Sequence, residues 1–174
     1  GIRLTGGEPL LRGDAVDVVR LITSLPKAPE VSVTTNGLRL PQLAAPLRDA
    51  GLTRVNVSLD TLDRQRFLEL TKRDRFDDVI AGIKAAQDAG LAPVKVNSVL
   101  MRGVNDDEAV PLLRRALDEG WRLRFIEQMP LDAGGTWDRT SMITADQIHE
   151  MLSEAFTLTE KLGRGSAPAE EFYV

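Results

Sequence analysis

Gly1-Ile2-Arg3-Leu4-Thr5-Gly6-Gly7-Glu8-Pro9-Leu10 opens the chain, and its reading decides the fold. Ile2 to Leu4 reads as the end of a strand. The strand runs into two adjacent glycines, a carboxylate and a proline, and then into a helix. Without a Cβ, a Gly-Gly pair turns sharply and lets a ligand approach the backbone closely. Pro9 fixes its own φ and biases Glu8 towards an extended conformation. The stretch therefore places a bare, N–H-rich turn at the C-terminal end of a strand, where ligands bind in α/β folds. Strand-to-helix loops also contain glycine for geometry alone, so Glu8-Pro9 and the later segments must carry the functional reading.

Outward from this turn the pattern is a βα repeat. Asp14 is placed to cap a helix whose apolar stripe is Ala15, Val18, Val19, Ile22 and Leu25, with Pro26 as its stop. Val31 to Thr35 reads as a strand closed by Asn36-Gly37. A helix follows from Pro41 to Gly51, in which Pro46 predicts a kink or an early stop. Val55 to Leu59 is the next strand, and Asp60 to Asp63 leads into a helix through Phe67, Leu68 and Leu70. Another helix carries Phe76, Val79, Ile80, Ile83 and Ala86 and ends at Gly90. Val94 to Met101 and Arg122 to Glu127 are two further strands, separated by a helix that stops at Gly120. Gln128 to Thr140, with Gly134-Gly135, is long enough to line a site. Thr144-Ala145-Asp146-Gln147 reads as a capping box, and Phe172 to Val174 as the start of another strand. Five strands alternating with helices predict a parallel sheet. A TIM-like partial barrel and an open doubly wound sheet both satisfy this periodicity.

The chain has 174 residues, enough for one domain or part of one, with 43% hydrophobic and 28% charged residues. Net charge is −4, so no global basic field points to nucleic acid or an anionic membrane. No apolar run reaches the length of a membrane span and no signal peptide is visible, which makes cytoplasm the expected compartment. Cysteine is absent and there is one histidine, His149. These counts leave no thiolate metal site, disulfide or Cys nucleophile in the chain, and no metal ligand set is expected. A start in mid-strand without methionine reads as an internal piece of a longer protein.

Strand ends in either architecture converge on one mouth. The polar residues expected there are Thr5, Gly6 and Gly7; Thr34, Thr35 and Asn36; Ser58 and Asp60; Lys95 and Asn97; Glu127 and Met129. Arg3 and Lys95 supply two cations. No nucleophile–base pair stands out, so no catalytic residue is named. The mouth reads as one that binds and orients a ligand whose reactivity comes from elsewhere. Asp106-Asp107-Glu108 reads as helix N-terminal charge.

Gly-Gly-Glu-Pro after a strand resembles the S-adenosylmethionine-binding motif of radical SAM enzymes. Arg3-Leu4-Thr5-Gly6-Gly7-Glu8-Pro9, Thr34-Thr35-Asn36-Gly37, Val55-Asn56-Val57-Ser58-Leu59-Asp60, Lys95-Val96-Asn97 with Met101-Arg102-Gly103-Val104-Asn105, and Arg124-Phe125-Ile126-Glu127-Gln128-Met129 follow in order. This set resembles the GTP 3′,8-cyclase family of radical SAM enzymes, which opens molybdenum-cofactor biosynthesis. The likeness implies a radical SAM core built as a TIM-like partial (βα) barrel. Residues 1–160 would form that core, as a fragment, and 161–174 would begin the C-terminal region.

By the same likeness Gly7, Ser58 and Met129 contact S-adenosylmethionine, and Arg3, Thr34 and Lys95 contact GTP. In that family a reduced [4Fe–4S] cluster cleaves the cofactor to a 5′-deoxyadenosyl radical, which takes hydrogen from the ribose C3′ before that carbon joins guanine C8. The cluster-binding cysteines of the family are not in this chain, so alone it is expected to be inactive. Oligomeric state, including a homo-oligomer, stays open. Two other readings remain: a different radical SAM enzyme of the peptide-modifying type, and a non-catalytic nucleotide-binding α/β domain.

Overall fold

The computed structural model describes residues 1–129, 139–161 and 170–174. In chain order the elements are β1 (Ile2–Leu4), α1 (Ala15–Thr23), β2 (Val31–Thr35), α2 (Leu40–Asp49), β3 (Arg54–Ser58), α3 (Arg64–Thr71) and α4 (Phe76–Asp88). They continue with β4 (Lys95–Ser98), α5 (Ala109–Glu119), β5 (Arg122–Phe125), α6 (Ala145–Ser153), β6 (Thr159–Glu160) and β7 (Phe172–Tyr173). The first five strands form one parallel sheet in the order β1-β2-β3-β4-β5. This order separates the two architectures that periodicity left open. A doubly wound sheet reverses its strand order part-way, whereas here each strand adds beside its predecessor, as in a barrel.

The two faces of the sheet have opposite chemistry because side chains alternate along a strand. Val31, Val33, Val55, Val57, Val94 and Val96 are fully buried and form the main core with Val19, Leu40, Leu47 and Ile83 from α1, α2 and α4. On the other face the register carries Arg3, Ser32, Thr34, Arg54, Asn56, Ser58, Lys95, Asn97, Arg122 and Arg124. The helix-covered face holds the fold together. The bare polar face is the inside of the partial barrel.

Several sequence expectations change in detail. α2 runs through Pro46 to Asp49 without stopping. Proline costs a hydrogen bond inside a helix, but Ala44 and Leu47 on either side of it are buried in the core and hold the helix on the sheet. Asp14 stands at the N-cap of α1 but makes no capping bond, because its carboxylate takes Arg12 Nε at 2.9 Å and Nη2 at 2.7 Å. β4 and β5 are shorter than the apolar runs suggested. The capping box of α6 is formed as expected, by Thr144 and Gln147. β7 pairs antiparallel with β6, a two-residue strand too short to leave a periodic signal. This hairpin joins residues 1–160 to 161–174. Gly134-Gly135 lies outside the described residues.

α4 comes unusually close to the turn after β2. A Cβ at Gly82 would lie 2.2 Å from the Gly37 carbonyl oxygen. Gly37 itself has φ +83, a conformation that glycine adopts freely. Two glycines, one on each side, make this contact.

Candidate functional site

Glu8 holds the opening turn in place. Its Oε1 accepts from Leu10 N–H at 3.0 Å and from the Thr35 hydroxyl at 2.7 Å, while Oε2 accepts from Asn36 N–H at 2.7 Å. One carboxylate thus ties the loop after β1 to the loop after β2 and caps the short 3-10 turn Pro9–Leu11. The motif's acid is spent on architecture, which leaves the glycines to face outward. Gly6 has φ +115 and needs to be glycine for that reason. Gly7 lies outside the left-handed region, and a Cβ there would meet no protein atom within 4 Å. The fold itself makes no demand for glycine at 7; the open space beside it is what a ligand would fill.

A second clamp shapes the loops after β3 and β4. Asn105 is fully buried, and its amide donates to Asp60 O at 2.7 Å and Val99 O at 2.9 Å while Oδ1 accepts from Met101 N–H at 2.7 Å. Asp60 Oδ1 accepts from Val99 N–H at 2.8 Å. Burial raises the Asp60 pKa above its ordinary 3.8, with the Val99 hydrogen bond opposing. Glu108, 5% exposed, accepts from the Thr61 hydroxyl, from Leu62 N–H at 3.0 Å and from Arg66 Nη1 at 2.6 Å. The acidic run before α5 therefore contains a buried structural carboxylate and not only surface charge. A cleft of about 420 Å³ opens between the loops after β1, β2 and β3 and the end of α3, lined in part by Glu8, Asn36, Ser58, Asp60, Thr71 and Arg73.

The expected site residues fall on two levels of the polar face. Ser58 and Asn97 are register partners at the C-terminal ends of β3 and β4, with Arg124 beside them on β5. Gly7 occupies the loop after β1, and Met129, 57% exposed, lies beyond β5. Thr34, Asn56, Lys95 and Arg122 form the next row down, continuous in register across four strands. Arg3, paired with Ser32, is deeper again. Lys95 is thus the first residue of β4, below the rim where the sequence reading had set it.

Two residues expected at the mouth serve elsewhere. Thr35 faces the helix side, 3% exposed, with its hydroxyl on Glu8. Glu127 Oε1 accepts from Ala145 N–H at 2.7 Å, at the start of α6. In return the polar face gains side chains that the sequence reading left out. Asn56, buried, donates to Val33 O at 3.2 Å and to the Thr34 hydroxyl at 3.3 Å, so it orients Thr34. Arg54, Arg122 and Arg124 raise the cations on this face from the expected two to five. The alternation Arg122-Leu123-Arg124-Phe125 carried that signal, since its apolar partners belong on the helix side.

The polar atoms left open fit a bound ligand. Asn97 Oδ1 is buried without a hydrogen-bond partner, a costly state unless something donates to it. Lys95, half-buried, has its pKa lowered from 10.5 by burial, then by Arg124, Arg122 and Arg54, with Glu171 opposing. The chain contains no cysteine, so the residues present do not provide for an iron–sulfur cluster. Among the described residues no group of three His, Cys, Asp or Glu could hold a metal ion, and no helix is long and apolar enough to cross a membrane.

Residues 1–116, which include the Gly-Gly-Glu-Pro turn and the first four strands, match the Radical SAM superfamily model. The chain belongs to the radical SAM superfamily. Two solved structures share the fold of this radical SAM chain. TYW1 with a lysine-pyruvate adduct bound has TM-score 0.65 at 18% identity, over 91% of this chain and 51% of that one. Coproporphyrinogen III oxidase (HemN) from Escherichia coli has TM-score 0.62 at 14% identity, over 87% and 38%. In sequence the chain is 54% identical to a GTP 3′,8-cyclase of Paenarthrobacter nicotinovorans, over 99% of this chain and 49% of that protein. It is likewise 54% identical to a GTP 3′,8-cyclase of Streptomyces coelicolor, over 99% and 51%. The chain spans about half the length of these curated relatives.

Proposed function

We propose that this chain is the cofactor- and nucleotide-binding core of a GTP 3′,8-cyclase, which converts GTP to (8S)-3′,8-cyclo-7,8-dihydroguanosine 5′-triphosphate in molybdenum-cofactor biosynthesis. The observation that carries this reading is the two-level polar face. S-adenosylmethionine would lie at the rim, against Gly7, Ser58 and Met129, and GTP below it, against Arg3, Thr34 and Lys95. The cyclase relatives at 54% identity support the choice within the superfamily.

Bound S-adenosylmethionine supplies the hydrogen-abstracting group in radical SAM chemistry. The residues of this chain do the rest by position. Gly7 leaves room for the cofactor, and Ser58 and Asn97 offer it a hydroxyl and an acceptor. Asn56 fixes the Thr34 hydroxyl toward the substrate, and Lys95 meets a phosphate. Holding cofactor and nucleotide in adjacent rows sets the ribose under the reacting end, which is where orientation contributes to rate. Cluster thiolates would come from the remainder of the full-length protein.

Calorimetry on the full-length protein tests both halves of this assignment. Lys95→Ala should weaken GTP binding while sparing S-adenosylmethionine, and Gly7→Val should do the reverse. Equal affinities in the variants and the parent would reject the assignment.

A further inference from the structure

Thr34, Asn56, Lys95 and Arg122 stand side by side across β2, β3, β4 and β5. The first and third belong to the substrate set proposed above; Arg122 belongs to no motif that pointed to a ligand. Lys95 and Arg122 are register partners, about 4.8 Å apart in the direction of strand pairing. Both lie on the polar face, since Val94, Val96 and Trp121 beside them are buried in the core. Arg54 on the same face is paired, with Nη2 2.9 Å from Glu30 Oε2. Among the described residues Lys95, Arg122 and Arg124 have no ion-pair partner.

Like charges on neighbouring strands destabilise a sheet, and Lys95 feels three arginines at once. One carboxylate opposes them, Glu171, and it is already held 2.8 Å from Lys161 Nζ in the hairpin. A row of cations that shares one carboxylate, itself already paired, is therefore short of negative charge. A single phosphate can satisfy one such cation, whereas a chain of phosphates can lie across both. The arginine adds a planar fork suited to two phosphate oxygens.

We propose that Arg122 binds the polyphosphate of the nucleotide together with Lys95, and so sets the preference for a nucleoside triphosphate over a monophosphate. This rests on the nucleotide reading given above. Base and ribose lie towards Thr34 and the rim, and the phosphates run along the row to β5. Arg122 takes the more distal phosphates.

The test is calorimetry on the full-length, cluster-loaded protein with GTP and GMP, comparing the parent with Arg122→Gln, Arg122→Lys and Lys95→Ala. Arg122→Gln should lose about tenfold in GTP affinity, the scale of one charge-assisted hydrogen bond. Its affinities for GMP and S-adenosylmethionine should not move, so the GTP/GMP ratio narrows, and Arg122→Lys should restore most of it. Equal losses for GTP and GMP, or no loss for either, would overturn the role of Arg122. A parent protein that does not bind GTP, or a Lys95→Ala variant that binds it normally, would remove the nucleotide reading itself.

Discussion

The fold disfavours the charged form of Asp60. Burial raises its pKa, so the folded chain binds this proton more tightly than the unfolded one. The sign follows from linkage. Stability from this group is greatest below the unfolded carboxylate value near 3.8 and declines as pH rises through the folded value, then stays level. Asp60→Asn removes that decline while its Oδ1 still accepts from Val99 N–H, and the cleft gives the new amide room. The variant should melt a few degrees above the parent at neutral pH, and the gap should close on acidification. A neutral-pH melting temperature below the parent's would show that the charged carboxylate is needed where it sits. Sequence alone places Asp60 at the end of β3, but its backbone carbonyl is held by Asn105, 45 residues away, and no local pattern reports that.

At the scale of elements, the strands were legible and their linkages were not. Val31 to Thr35 and Arg54 to Ser58 show their two faces in alternation, and Thr144 to Gln147 shows its capping box. Glu8, Asn105 and Glu108 instead act across 28, 45 and 46 residues, joining loops that only the folded sheet brings together. Pro46 misled for a related reason, since core burial of its neighbours outweighs a lost helix bond. The contact of α4 with the Asn36-Gly37 turn gives a test at this scale. Gly82→Ala gains about 1 kcal/mol in helix propensity. It also drives a methyl into a backbone oxygen, a clash of the kind that costs about 1–3 kcal/mol or more. The variant should melt at a lower temperature than the parent, and displacement of Asn36 should weaken the hold of Glu8 on the opening turn. Unchanged melting would mean that α4 can withdraw freely.

For the whole molecule, composition located the protein among acidic globular chains and periodicity supplied the alternation of strands and helices. Neither could choose a barrel over a doubly wound sheet, because both use the same elements in the same sequence order. Strand adjacency made that choice. It also gathered Arg3, Arg54, Lys95, Arg122 and Arg124 onto one face from four separate strands. With a net charge of −4 overall, the remaining surface is more negative still. The molecule is thus electrically two-sided, and an approaching anion meets a field that its average charge does not describe. On the function proposed above, nucleotide should be steered to the concave side and turned away elsewhere. The association rate for GTP should therefore fall as ionic strength rises, although protein and ligand are both negative. Stopped-flow measurement in a salt series would read this directly. A rate that climbs with salt would mean that the acidic exterior, and not the cationic hollow, governs encounter.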